Sequence, residues 1–303
     1  MRRQSEKVYR CPITGGPLAL SDRSGEGVIL NGELISSNGQ RFPIKNGIPN
    51  FMYPADLQGG DAEFIEKYNS TADRYDEGLR WLFKSFDEDE DGVRSGMINL
   101  LDVKPGQKIL EMGCGTGKDS VHIARRLKGQ GELYLLELSE AMLEICRERV
   151  KPEYPSAELL VGNGSYLPFA DGYFDAVFHF GGVNTFTEKQ RAINELTRVV
   201  KSGGTVVFGD ESVPPWLREH DFGKILMNAN PLYEYEPPLD LLPERARNVS
   251  IRWILGNAFY VIRYEVGNGP PPLDLDLPIP GKGDSLRSRY EKAQAKVQVP
   301  ARK

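Results

Sequence analysis

The stretch from Ile109 to Lys118, ILEMGCGTGK, decides the fold class of this chain. An apolar run ends in Glu111, and glycines then stand at positions 113, 115 and 117. This order is typical of a buried strand, a tight turn and the start of a helix. Glycine lets the backbone of such a turn come close to a ligand because it has no Cβ. The stretch therefore predicts a nucleotide-binding turn in an α/β domain.

Two common phosphate-binding loops do not fit this turn. The phosphate loop GxxxxGK[ST] needs serine or threonine after its lysine and a glycine at its start. Here Asp119 follows Lys118, and the leading position is Met112. The dinucleotide fingerprint GxGxxG needs a glycine where this chain has Lys118. The turn therefore predicts a nucleotide whose phosphate groups are not what the loop binds.

Strand-like and helix-like segments alternate from about residue 94 onward. Strands are predicted at 108–113, 132–138, 157–163, 174–180 and 205–210. The predicted helices cover 118–127, a segment from the cap Ser139 to about Val150, and a segment after the capping-box pair Thr187 and Gln190 that ends at Gly203-Gly204. Two long strands around Gly256-Asn257 would add an antiparallel hairpin. The pattern predicts a Rossmann-like, doubly wound and mostly parallel sheet.

The segment from Glu111 to Gly117 resembles the ExGxGxG signature of class I S-adenosylmethionine-dependent methyltransferases, and three further segments follow in the order of that family. Glu137 ends the second strand, GNGSYLPFADGYFDAVF (162–178) is similar to GDAxxLPFxDxxFDxV, and RVVKSGGTVVFGD (198–210) is similar to the approach to the fifth strand. The segment KYNSTADRYDE (67–77) is similar to the helical lid of the quinone-biosynthesis C-methylases. The resemblance covers about residues 95–210 and implies S-adenosylmethionine as the cofactor.

The resemblance also implies a set of cofactor contacts. Glu137 would bind the ribose hydroxyls, Leu138 and Met142 would pack on the adenine, and Asn163 would accept from the adenine amino group in place of the usual aspartate. The residues implied to contact the cofactor are Tyr68, Glu111, Gly113, Cys114, Gly115, Gly117, Glu137, Leu138, Met142, Asn163, Gly164, Ser165 and Phe180. Glu111 would either order the loop or hold the ammonium group through water.

Four side chains are candidates for catalysis. His179 stands near a strand end and could take a proton at neutral pH, with a buried core histidine as the alternative. Asp210 ends the fifth strand, and His220 lies in the insertion that would cover the substrate, with a surface histidine as the alternative. Tyr75 would lie near the sulfonium group, with a packing aromatic as the alternative. The segment Phe180 to Asn184, FGGVN, lacks the (N/D)PP(Y/F) element of many methylases that act on amino groups of bases.

Residues 1–57 are predicted to form a small β module with turns at Asn31-Gly32 and Asn46-Gly47. This module resembles the zinc ribbon of some methyltransferases. Only Cys11 of the expected cysteines is present, while Thr14, Ser36 and Ser37 stand where others would be. Because structural zinc needs four thiolate or imidazole ligands, we expect the ribbon fold without its metal.

The remaining chain is expected to divide into a helical lid at 58–94, a methyltransferase domain at 95–266 with an insertion at 213–247, and a tail at 267–303 that is extended, and poorly ordered unless it docks. The acidic run DEDED (87–91) is interpreted as a solvated loop or an acidic helix start.

Composition narrows the function. The net charge of −5 argues against a broad nucleic-acid-binding face, and three cysteines without a pairing pattern suggest a reducing, cytoplasmic compartment. No apolar run has the length of a signal peptide core or of a membrane helix. The main hypothesis is methyl transfer to a small-molecule acceptor. An RNA methyltransferase, supported by the ribbon-like module, and a non-catalytic cofactor-binding partner subunit remain as alternatives. The sequence leaves the oligomeric state open, a homodimer included.

Overall fold

The computed structural model of the chain describes residues 1–21 and 27–297. The chain divides into two compact units, Met1–Asn268 and Gly269–Lys303. The first unit contains a small sheet and a large sheet, and the second contains one helix. No helix of the described residues is long and apolar enough to cross a membrane.

The small sheet is antiparallel and its four strands lie in chain order: β1 (Leu18–Leu20), β2 (Gly32–Ser36), β3 (Arg41–Lys45) and β4 (Ile48–Pro49). The predicted turn at Asn46-Gly47 joins β3 to β4, with positive φ at both residues. The predicted hairpin turn at Asn31-Gly32 is wrong. Residues before it pair with the start of the chain instead, since Val28 bridges Arg2 and the Ile29 amide donates to the Met1 carbonyl.

The large sheet holds seven strands: β5 (Lys108–Met112), β6 (Glu132–Glu137), β7 (Glu158–Val161), β8 (Phe174–Phe180), β9 (Val200–Glu211), β10 (Ala246–Ile254) and β11 (Phe259–Val266). Their order across the sheet is β7-β6-β5-β8-β9-β11-β10, and only β11 runs against its neighbours. The prediction of a mostly parallel sheet with a C-terminal antiparallel hairpin is confirmed. The strand order reverses at β5, which lies between β6 and β8, and ligands of such sheets bind outside the carboxyl ends of the strands at this point.

The helices are α1 (Gly59–Ser85), α2 (Glu90–Asn99), α3 (Lys118–Leu127), α4 (Glu140–Val150), α5 (Lys189–Arg198), α6 (Asp221–Ala229) and α7 (Leu286–Val297). The acidic run includes the start of α2, where the Asp89 carboxylate accepts from the Gly92 amide at 2.9 Å. The Ser139 hydroxyl caps α4 as predicted, by accepting from the Met142 amide.

Three local predictions are wrong. Thr187 does not cap α5, because its hydroxyl donates to the Gln58 carbonyl and links α5's approach to α1. Gly203-Gly204 does not end a helix; α5 ends at Arg198 and both glycines lie in β9. The tail is not wholly extended, because residues 286–297, rich in good helix formers, form α7. Residues 298–303 of the predicted tail lie outside the described residues.

The small sheet covers the free edge of the large one. Asn50 forms a parallel bridge with Val161 of the edge strand β7, and the Phe51 amide donates to the Val161 carbonyl at 2.8 Å. The Phe51 ring is fully buried and lies 4.9 Å from the ring of Tyr9. Since an exposed strand edge invites pairing with other chains, the N-terminal residues protect β7 and share a hydrophobic core with the domain.

Candidate functional site

A cavity opens at the carboxyl ends of β5, β6, β7 and β8, and we call it the central cavity. Its walls come from the glycine turn, the ends of these strands, and the first half of α1. It is lined by Gly60, Asp61, Phe64, Tyr68, Tyr75, Met112, Gly113, Gly115, Leu136, Glu137, Leu138, Met142, Gly162, Asn163, Gly164, His179, Phe180, Gly181, Gly182, Thr185 and Phe186. Nine of the thirteen predicted contact residues thus line the central cavity, and a tenth, Cys114, lines a neighbouring cavity.

Glu137 holds the glycine turn in place. One oxygen of its buried carboxylate accepts from the Gly115 amide at 2.8 Å. The other accepts from the amides of Leu138 and Ser139 at 2.8 and 2.9 Å. Burial raises the pKa of the Glu137 carboxyl, while the three amide donors act in the opposite direction. The carboxylate therefore lines the cavity as a fixed acceptor that joins the ends of β5 and β6.

Small residues make room around the cavity. A Cβ on Gly164 would lie 2.7 Å from the Met112 sulfur, closer than real Cβ atoms come to other atoms. Gly113 has φ of +69°, and a Cβ there would lie 3.2 Å from His179 Nδ1. Since the backbone at these points lines the cavity, larger side chains would displace its walls. The arrangement suits a ligand that needs close backbone approach.

His179 lines the central cavity, and one of its ring nitrogens is an unused acceptor among the described residues. Its Nδ1 lies 2.7 Å from the Met112 carbonyl oxygen. A carbonyl can only accept, so the proton sits on Nδ1 and Nε2 carries the lone pair. The Nε2 atom is buried and has no hydrogen-bond partner among the described residues. Burial lowers the pKa of His179, against the Met112 carbonyl and the Asp210 carboxylate. The ring is therefore neutral near pH 7.

A second cavity, the side cavity, shares Tyr75, Gly113, Gly115, Phe180 and Gly181 with the central one. One part of it is apolar and is lined by Leu79, Leu82, Phe83, Leu255 and Phe259. Burial raises the pKa of Tyr75, so its phenol is a neutral donor at the junction. The two cavities therefore form neighbouring spaces with a common wall of aromatic and glycine residues.

The side cavity also has a charged part that the sequence interpretation missed. The Arg94 guanidinium donates to Asp119 at 2.7 Å and to Glu90 at 2.9 Å. Arg94 and Asp119 line the cavity. The other oxygen of the buried Asp119 carboxylate has no hydrogen-bond partner among residues 1–21 and 27–297. A cation and an incompletely satisfied anion thus stand side by side. No local motif marks this pair, because α2 and α3 bring it together.

Hydrogen bonds and an ion pair hold helix α1 against the glycine turn and α4. Its Asp76 carboxylate accepts from the Thr116 hydroxyl of the glycine turn at 2.7 Å and pairs with Arg149 of α4. Its Asn69 oxygen accepts from the Ser139 hydroxyl at 2.6 Å. The rings of Tyr68 and Tyr75 lie 5.7 Å apart on the inner side of the helix. The structure thus places both predicted tyrosines at the cavity.

Three of the thirteen predicted cofactor contacts lie off the cavities, and these predictions are corrected here. Glu111 points beneath the turn, where its buried carboxylate accepts from the Ser120 hydroxyl of α3. Gly117 faces α4, since a Cβ there would lie 2.8 Å from the Cys146 sulfur. The Ser165 amide donates to the Asn163 side chain at 2.9 Å, and its hydroxyl is buried.

Two predicted catalytic residues are also corrected. Asp210 is fully buried behind the cavity rim, where its carboxylate accepts from the amides of Asn184 and Glu211. The next residue, Glu211, lines the side cavity instead, because successive strand side chains point to opposite faces. His220 is exposed directly before α6 and lines neither cavity.

Because the Glu111 carboxyl is buried, we expect the free energy of unfolding to depend on its protonation and so on pH. Burial, and then the nearby Asp119 carboxylate, raise the pKa of Glu111 well above 4.5, opposed by Ser120 and Arg94, while Cys146 also raises it. A carboxyl with a raised folded-state pKa stabilises the fold at acid pH and loses this contribution as pH rises through that pKa. Glu111→Gln has no titrating group at this position. The difference between its free energy of unfolding and that of wild type should therefore shift in favour of the variant as the pH rises above about 4.5, by up to about 1.4 kcal/mol per pH unit.

Urea unfolding of both proteins at several pH values between 4 and 8 measures this difference. The exposed Glu148→Gln on α4 removes the same charge without burial and should follow wild type at each pH. A difference between Glu111→Gln and wild type that stays constant with pH would contradict the assignment.

The chain is similar in sequence to known methyltransferases. Residues 109–204 match a family model described as a methyltransferase domain. The ubiquinone/menaquinone biosynthesis C-methyltransferase UbiE of Bordetella avium is 29% identical over 236 residues, which are 68% of this chain and 86% of that protein. The demethylmenaquinone methyltransferase of Bacillus cereus is 36% identical over 125 residues, or 41% of this chain, and the match spans about half (53%) of its length.

A solved structure agrees on the fold. Phosphoethanolamine N-methyltransferase 2 of Haemonchus contortus, determined with S-adenosyl-L-methionine, superposes with a TM-score of 0.54 at 13% identity. The match covers 73% of this chain and 62% of that one. The similarity extends the shared architecture beyond the segment that the family model matches.

Proposed function

Since this chain carries a class I S-adenosylmethionine-dependent methyltransferase domain, we propose that it transfers a methyl group to a ring carbon of a small quinol-type acceptor. One observation supports the binding of the cofactor: the glycine turn and the Glu137 carboxylate meet at the central cavity. This cavity lies where the strand order of the sheet reverses. The acceptor half is supported by the names of the Bordetella and Bacillus relatives and by the apolar part of the side cavity.

The residues at the cavities suit S-adenosylmethionine from end to end. Glu137 would accept from the ribose hydroxyls, and the side chains of Leu138 and Met142 would pack on the adenine. Arg94 would attract the carboxylate of the methionine part. The unpartnered oxygen of Asp119 would accept from its ammonium group, which would satisfy a buried atom that otherwise has no partner.

Bound S-adenosylmethionine supplies an electrophilic methyl group on a positively charged sulfur. The protein then has to align the acceptor, exclude water and remove one proton from the acceptor. The acceptor gains a methyl group and loses one proton, and His179 Nε2 is a neutral acceptor for that proton at the cavity wall. Tyr75 and Phe180 stand where the two cavities meet and would orient a flat ring.

Calorimetry with S-adenosylhomocysteine tests the cofactor half of the proposal. We expect a dissociation constant between about 1 µM and 1 mM, the usual range of enzyme ligands. No heat of binding at millimolar ligand would overturn the methyltransferase proposal.

Incubation with methyl-labelled cofactor and reduced quinones tests the acceptor half. Naphthoquinols and benzoquinols with and without an isoprenoid chain should become labelled, and NMR of the product should show the methyl group on a ring carbon. Bulk tRNA serves as the competing substrate. Label on tRNA alone would overturn the small-molecule proposal.

A further inference from the structure

Asn163 stands at the cavity, two residues beyond the end of β7, but its oxygen is already engaged. Its Oδ1 accepts from the Ser165 amide at 2.9 Å, which closes a short turn in its own loop. Its Nδ2 donates to the Asp61 carboxylate at 3.3 Å. Since a backbone amide can only donate and a carboxylate can only accept, these partners define the orientation of the Asn163 amide. The second Nδ2 hydrogen takes part in neither contact, so the side chain can offer an N–H group to the cavity.

Asp61 supplies an acceptor at the same wall. It belongs to the first turn of α1, is only 9% exposed, and lines the central cavity beside Asn163. One of its oxygens accepts from the Thr187 amide and the other from Asn163 Nδ2, each at a distance of 3.3 Å. A carboxylate offers about four acceptor sites, so these two long bonds leave capacity for a ligand.

The backbone fixes the position of Asp61. A Cβ on the preceding Gly60 would lie 2.0 Å from the Thr185 carbonyl oxygen, so α1 starts in direct contact with the loop after β8. The Asp61 amide also donates to the Thr187 hydroxyl at 3.3 Å. The start of α1, and with it Asp61, is therefore held against the loop after β8.

We propose that Asp61 and Asn163 together read the edge of the cofactor's adenine, with Asp61 accepting from the 6-amino group and the second Nδ2 hydrogen of Asn163 donating to an adjacent ring nitrogen. This inference rests on the proposed function. It moves the acceptor of the base from the strand end to helix α1, so that the helix over the cavity takes part in recognising the base. A purine with a 6-oxo group would place a carbonyl oxygen against the Asp61 carboxylate and be rejected.

The test compares two ligands that differ only at this edge, S-adenosylhomocysteine and S-inosylhomocysteine, by calorimetry. Wild type should prefer the adenosyl ligand by about 10- to 100-fold, the usual effect of a hydrogen bond to a charged group. In Asp61→Asn the amide can donate to a 6-oxo group as well as accept, so the preference should fall by about tenfold or more. Glu63→Gln, which removes an exposed charge from the same helix turn, should keep the wild-type preference.

A swap variant separates recognition from folding. Asp61→Asn combined with Asn163→Asp returns a carboxylate to this wall and should restore the adenosyl preference, with thermal unfolding showing that each variant is folded. Equal binding of both ligands by wild type, or an Asp61→Asn variant that weakens both equally, would overturn the role of Asp61 while leaving the cofactor site standing. Failure of wild type to bind either ligand would overturn the proposed function and this inference with it.

Discussion

Glu137→Ala should weaken binding of S-adenosylhomocysteine by about 100- to 1,000-fold. The substitution removes the acceptor of three backbone amides, those of Gly115, Leu138 and Ser139, together with the group proposed to bind the ribose. Each hydrogen bond to a charged group contributes about 1.5–3 kcal/mol, and a tenfold change in affinity corresponds to about 1.4 kcal/mol. Loss of two such bonds from the bound state, each at the lower end of this range at about 1.5–2 kcal/mol, removes about 3–4 kcal/mol and so gives the expected 100- to 1,000-fold. Calorimetry at neutral pH measures it.

Two further variants make this result specific. Glu137→Gln keeps one acceptor oxygen and should fall between wild type and Glu137→Ala. Glu140→Gln removes a carboxylate three residues later, at the exposed start of α4, and should bind like wild type. Wild-type affinity in a folded Glu137→Ala protein would show that the carboxylate is only a structural acceptor.

His179→Asn should lower kcat by about 100- to 10,000-fold, the usual contribution of a positioned acid or base. Asparagine can still donate to the Met112 carbonyl from the place of Nδ1, but it has nothing in the place of Nε2. The affinity for S-adenosylhomocysteine should therefore change little. The measurement is a rate of methyl transfer at saturating cofactor, with binding measured on the same preparation.

The pH profile distinguishes a base from a packing residue. Only the neutral imidazole can take a proton, and burial lowers the pKa of His179 below 6.5 despite the nearby Asp210 carboxylate and the Met112 carbonyl. The wild-type kcat should therefore fall only below pH 6.5, and His179→Asn should lack this acid limb. His220→Asn, at the exposed histidine before α6, should keep both the rate and the profile. An acid limb that persists in His179→Asn would exclude His179 as the base.

The boundaries of several elements follow from local signals. The apolar run and glycines at 108–117 predict β5 and its turn, and the predicted helix 118–127 coincides with α3. Ser139 marks the start of α4 because its hydroxyl bonds an amide three residues away. Such contacts lie within one turn of the chain, so the sequence shows them directly. The Thr187 prediction is wrong for the complementary reason. The Gln58 carbonyl, just before α1, and the Asp61 amide, in its first turn, bond that hydroxyl and compete with a local cap.

The candidate site divides in the same way. The family resemblance implied that Gly113, Gly115, Glu137 and Asn163 would contact one cofactor. All four line the central cavity, because they lie at the carboxyl edge of one parallel sheet. Which neighbouring side chain faces the cavity depended on local geometry. Glu211 rather than Asp210 lines the side cavity, and Glu111 turns beneath the loop rather than toward the ligand space.

Local patterns in the sequence predicted the individual strands, the glycine turn and the acid at the end of β6, since each of these features depends on residues close together in the chain. Partners that lie far apart in the chain follow only from the packing of the folded protein. Arg94 meets Asp119 over 25 positions, and Asp61 meets Asn163 over 102. No local pattern specifies such pairs, because the packing of α1, α2 and α3 on the sheet brings them together. The motif thus identified where a nucleoside would bind, while the helices around it determine which charges and hydrogen bonds its two ends would find.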